Sequence, residues 1–292
     1  MNSQNTQVSP VAENVLRAAG MPCGDSAPQT MAPPLLRMSE IERSVAPGSP
    51  MACIATWVRE FLARPHPQLG RKGSVCPFVP LSLEMDSIWM AEVTDPAPSL
   101  ESVSAIVTEY LRVFTTTEPL TGADAMQKSF LIVLPTLDGD NPEWTRLVDD
   151  VQLALKKQFV EKGLMLGEFH AGNETPGLRN PDFRPLRSPI PMLAIRHMVD
   201  SDLPFLVRES YTAQERASFL RAYLAYMNGS LTQTKFCQVL DQLIALEREV
   251  WSTTTQRLIG AASDPGASAV DVQPHRPQLG GCPMAQAAGV VS

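Results

Sequence analysis

The chain has 292 residues, a formal net charge of −7 and 44% hydrophobic side chains. That is apolar mass enough for a sizeable core, and the acidic balance argues against general nucleic-acid binding, which needs a basic footprint. No apolar run approaches the ~20 residues that cross a bilayer, and five scattered cysteines without a CxxC pair argue against a disulfide framework or a structural zinc site.

Residues 1–50 are rich in Pro, Ser, Ala and Met and read as a flexible N-terminal arm with one short helix near Val11–Ala19. The first residues lack an apolar h-region and early arginines, so a cytoplasmic protein is expected. A single domain over 51–260 follows, then a flexible tail over 261–292. Its first element, Met51–Ala63, carries Ile54, Trp57, Val58, Phe61 and Leu62 on one helical face. The segment 71–87 reads as a loop, and Ile88–Val93 as a strand.

Ser99 caps a helix whose Leu100, Val103, Val107, Tyr110, Leu111 and Phe114 form one stripe. Phe130–Leu134 is an unbroken apolar strand, of the kind covered on both faces. Asn141 and Pro142 then open a helix through Glu161 that Gly163 stops. Leu164–Phe169 and Ile190–Arg196 are the next two strands. Thr212 and Glu215 form a capping box for a helix to Asn228, and a last helix covers Gln233–Leu258.

This order predicts an α/β or α+β fold: a mixed, mainly parallel sheet of about four strands, packed with helices and followed by two C-terminal helices. Right-handed crossovers would make the first three strands parallel neighbours, with the fourth antiparallel through the long loop.

That loop concentrates the candidate chemistry. His170 stands at a strand end, where an imidazole can bind a metal or move a proton; the plainer reading is a locally hydrogen-bonded loop histidine. Arg179, Asn180, Arg184 and Arg187 follow among stiffening prolines. Arginine forks there grip a carboxylate or phosphate, or else pair with Asp182, Asp200 and Asp202 to lock the loop. Arg196 and His197 end the next strand in opposite phase, so either one reaches the site. Cys76-Pro77 and Cys282-Pro283 are Cys-Pro pairs, a setting familiar for iron thiolates. There is no GxGxxG after a strand, no GxxxxGK[ST], no HExxH and no GxSxG.

The pieces CPFVP (76–80), GLMLGEFH (163–170), GLRNPDFRPLRSPIP (177–191) and MLAIRHM (192–198), in this order, resemble a bacterial and fungal group catalogued only as a domain of unknown function. That group is distantly similar to the YqcI/YcgG proteins, some of which are heme-dependent enzymes that hydroxylate nitrogen in arginine-like substrates of natural-product biosynthesis. The resemblance covers residues 51–206. It implies heme as cofactor, His170 as axial ligand with Cys76 as the other candidate, and Arg179, Asn180, Arg184 and Arg187 holding the propionates. Arg196 or His197 would orient oxygen.

The leading expectation is therefore a heme-dependent oxygenase or N-hydroxylase for a small amino-acid-like or guanidino substrate. The alternatives are a non-enzymatic accessory protein, or a metal-free enzyme for an anionic metabolite with His170 as general base.

Overall fold

A computed structural model describes residues 32–262, with side chains to 256. The expected Val11–Ala19 helix and Cys282 lie outside the described residues. By its contacts the chain divides into two units, Met1–Glu247 and Arg248–Ser292. Everything below belongs to the first; of the second, the end of the last helix is described.

Five strands form one sheet in the order β1-β2-β3-β5-β4. They are β1 (Leu36–Arg37), β2 (Ile88–Glu92), β3 (Ser129–Val133), β4 (Leu164–Phe169) and β5 (Met192–His197). Only β2 and β3 pair in parallel; β1–β2, β3–β5 and β4–β5 are antiparallel. The sheet is thus mostly antiparallel, which corrects the expected mainly parallel one. The three strands expected to be parallel do point the same way, but β5 inserts between β3 and β4. Its apolar run suits a central place: Met192, Leu193 and Ile195 are fully buried. The polar, less buried end of β4 suits an edge.

The helices are α1 (Met38–Ser44), α2 (Pro50–Trp57, continued by a wider turn over Val58–Leu62), α3 (Val79–Glu84), α4 (Leu100–Thr116), α5 (Gly122–Met126), α6 (Pro142–Val160), α7 (Leu203–Leu206), α8 (Ala213–Met227) and α9 (Gln233–Ala262). Residues 36–44, read from sequence as part of the arm, form β1 and α1, because Met38 and Ile41 of that short segment bury almost completely. The expected loop 71–87 likewise contains α3. Other signals act as read: Ser99 accepts from Ser102 N at 3.1 Å, and Thr212 and Glu215 cap α8 reciprocally at 2.8 and 3.2 Å. Gly163 ends α6 at φ 73°, where a Cβ would also stand 2.5 Å from the Tyr226 ring.

Helices cover both faces of the sheet. Val107, Phe114, Val148 and Phe159 of α4 and α6 pack on Phe130, Ile132, Leu193 and Ile195. On the other face Met38, Ile41, Ile54 and Val58 pack on Met90, Leu131, Val133 and Met192. A third cluster joins α8 and the start of α9 to Val160, Met165 and Met198.

Candidate functional site

The β4–β5 register governs where the expected site residues fall. Phe169 faces Met192 across the pair, whereas Leu164 faces His197. His170, just past Phe169, therefore stands at one end of the hairpin. Arg196 lies four residues further along β5, ~13 Å at ordinary strand rise.

Arg196 and His197 also point to opposite faces. Arg196 grips Asp202 with two 2.7 Å hydrogen bonds, and its guanidinium lies 5.7 Å from the Phe78 ring, on the side of half-buried Cys76. His197 packs on Phe114, ring centroids 5.2 Å apart. Burial, then the nearby Lys128 charge, pushes its imidazole down to about 4.

The loop arginines are tied down by the loop itself. Arg184 Nε donates to Glu174 at 2.9 Å, and Arg187 donates to the other oxygen of the same carboxylate and to Asn173 O. These bonds hold the Glu174 carboxyl below its usual range. The partner is thus Glu174, while Asp202 and Asp200 pair with Arg196 and Lys235. Asn180 donates to Gln68 O at 2.8 Å and accepts from Asp182 N at 3.0 Å, a local turn bond. Arg179 is exposed, its backbone close against Gly70.

His170 is 2% exposed. Its Nε2 lies 3.0 Å from Asp149 Oδ1, and its Nδ1 is buried without a partner. A Cβ on Gly172 would sit 3.6 Å from that Nδ1, so the loop backbone lies close over the atom. Its carbonyl accepts from Asn173 N and Ser188 N, which ties the two ends of the loop together.

These residues do not fit a heme in the expected arrangement. The imidazole is sealed and bonded to Asp149, two of the arginines are neutralised, and Arg196 and His197 stand at the far end of the strands. Among the described residues, no three His, Cys, Asp or Glu side chains group to hold a metal ion.

One cleft the fold builds, of ~460 Å³ along the outer edge of β4, gathers several charged side chains. Asp149 and Gln152 of α6 form one wall, Glu168 the floor, Glu174 the loop side, and Arg208 and Tyr211 the end before α8. Two side chains cover the edge strand: Gln152 donates to Leu166 O at 3.0 Å, and Asn173 to Glu168 O at 3.4 Å.

Burial holds the Glu168 carboxyl above the usual carboxylate range and raises the Tyr211 phenol. Lys156, one helical turn beyond Gln152, is 4% exposed. Its Nζ lies 2.6 Å from Tyr211 Oη and donates to Phe205 O at 2.9 Å. Burial, then the neighbouring Arg208 charge, pushes its amine down to about 8. Arg208 itself lies 5.2 Å over the Phe205 ring and makes no ion pair among the described residues. Shifted titratable groups meeting in a cleft make it the candidate site of this fold.

None of Asp149, Lys156, Glu168, Arg208 and Tyr211 was singled out from sequence. The signal was phase. Glu168 follows Leu164 and Leu166 on the buried side of β4, and Lys156 stands four residues before buried Val160 on α6.

The family described as a domain of unknown function, DUF6875, matches residues 51–235. The chain belongs to this family. The DUF6875 match spans β2 to β5 and every residue of the cleft, and stops in the first turn of α9. No curated protein and no solved structure matches the chain. Among the described residues no helix is long and apolar enough to cross a membrane.

Proposed function

We propose that this DUF6875 domain is an enzyme for a small anionic metabolite, and that its reaction is proton transfer within the cleft at the edge of β4. One observation carries the reading: Glu168 and Tyr211, both shifted by burial, meet around an arginine that has no carboxylate partner among the described residues. A guanidinium left unpaired beside a cleft can take a carboxylate or phosphate with two parallel hydrogen bonds. Glu168 and Tyr211 then stand as the groups that hold or move a proton, and a carboxyl raised by burial works closer to neutral pH. Lys156 holds the Tyr211 hydroxyl from behind. The Asp149–His170 pair stiffens the opposite wall. Repulsion from Glu168 and Asp149 confines the ligand's negative end to the Arg208 side.

Thermal unfolding in the presence of acetate, pyruvate or inorganic phosphate tests this. At a hundredfold excess over Kd a ligand adds ~2.7 kcal/mol to stability, a shift of several degrees. At least one of the three anions raises the melting temperature of the wild type, and Arg208→Gln abolishes the rise. An equal rise in Arg208→Gln, or none with any anion, overturns the reading.

A further inference from the structure

We infer that the ligand of the cleft is dipolar: an ω-amino acid whose carboxylate Arg208 holds and whose ammonium Asp149 holds. This rests on the cleft being the ligand site, and it names the class of molecule that the site takes. Of the three carboxylates that line the cleft, Glu174 is already paired with Arg184 and Arg187. Neither Asp149 nor Glu168 meets a lysine or arginine among the described residues, and Arg208 meets no carboxylate there. Unpaired charges of both signs therefore line one cavity without reaching each other. A ligand with an opposite charge at each end satisfies both.

Asp149 is built as one of the two seats. Its side chain is 51% exposed, while the imidazole 3.0 Å from its Oδ1 is buried. His170 thus pins one carboxylate oxygen from the protein side and leaves the other to the cleft. The imidazole donates through Nε2, and its Nδ1 has no acceptor that would favour a second proton. The charge on Asp149 is therefore left for the ligand.

The seats stand well apart. Asp149 lies two helical turns before Lys156 on α6, ~10 Å along the axis. Lys156 Nζ meets the Tyr211 hydroxyl at the end where Arg208 stands. Between the two seats Leu153, 57% exposed, lines the helix side of the cleft, and Glu168 forms the floor. The order along the cleft is carboxylate, apolar surface, guanidinium. A run of methylenes with an ammonium at one end and a carboxylate at the other complements that order. An α-amino acid carries both charges on one carbon and falls short of it.

The test compares acids of one chain length on the full-length protein: pentanoate, 5-aminopentanoate and 2-aminopentanoate. Each is titrated at pH 7, and its Kd is read from the rise in melting temperature. 5-Aminopentanoate binds about fivefold more tightly than pentanoate, the worth of one half-exposed ion pair. 2-Aminopentanoate has no such advantage. Asp149→Asn, which keeps the bond from His170, closes the gap between pentanoate and 5-aminopentanoate, and Arg208→Gln weakens both. No gap in the wild type, a gap that survives Asp149→Asn, or the same gap for 2-aminopentanoate overturns the inference. If pentanoate still raises the melting temperature through Arg208 in that case, the cleft reading stands and only the dipolar ligand falls. If none of these acids raises it, the inference falls, and acetate, pyruvate and phosphate alone decide the cleft reading.

Discussion

The loop between β4 and β5 and the cleft along β4 carry similar numbers of charged side chains, yet they use them differently. In the loop, Arg184 and Arg187 close on Glu174, ten and thirteen residues away in sequence. In the cleft, Asp149, Glu168 and Arg208 come from a helix, a strand and a connecting segment, and Arg208 makes no ion pair among the described residues. Charges dense along a chain reach one another easily and neutralise locally. Charges that meet only through folding stay unspent when the scaffold holds them apart, and burial then moves their proton affinities. A conspicuous run of arginines is on this account a weaker mark of a site than a single polar residue in phase with buried apolar ones.

The largest effect is expected at Lys156. Its folded amine is depressed, so at pH 7 the buried charge costs stability; that cost is present below pH 8 and disappears as pH rises toward 10.5. Lys156→Met should raise stability at pH 7 by about 2 kcal/mol after the lost hydrogen bonds are allowed for, with the gain shrinking at alkaline pH. Urea unfolding at pH 7 and pH 10 reads it. A loss of stability at pH 7 would make Lys156 a brace for α7 and erase the contrast with the loop.

The scaffold should titrate elsewhere. His197 is depressed from 6.5 to about 4 by burial, then by Lys128. Between those values the unfolded chain binds a proton that the folded chain refuses, so stability is full above pH 6.5 and falls as pH drops toward 4. With its partial exposure discounted, the histidine contributes about 1 to 2 kcal/mol to this fall. His197→Gln should flatten this part of the melting-temperature profile and leave anion binding at pH 8 untouched. A change in binding would tie His197 to the cleft, against its place on the other end of β5.

The smallest effect belongs to the loop. Arg187→Gln removes an exposed ion pair, and such pairs contribute little in water. Melting temperature and anion binding should both stay close to wild type. Anion binding lost in Arg187→Gln as fully as in Arg208→Gln would return the ligand to the loop.

Much of the local structure was legible in the sequence. The β2, β3, β4 and β5 segments are found within two residues of the expected strands, because period-2 and apolar runs report burial directly. The Ser99, Asn141 and Thr212 caps and the Gly163 stop are local hydrogen-bond and backbone effects, and they act as read. Less visible were β1 and α1, whose burial needs a sheet edge and a core surface that other segments supply. His170 was visible as a distinctive residue, but its role was not: nothing near it in sequence announces Asp149, twenty-one positions earlier.

The sequence by itself determined the four longer strands and most of the longer helices, because those depend on spacing within a few residues. Strand order lay beyond it. The insertion of β5 between β3 and β4 follows from which apolar run gains most by being covered on both sides, a comparison among segments far apart in the chain. That one choice puts β4 at the edge, sends His170 and Arg196 to opposite ends of a hairpin, and opens beside Glu168 the cleft that Asp149, Arg208 and Tyr211 enclose. Proton affinities follow from burial and from neighbours brought together by folding, so only the tertiary structure could assign them.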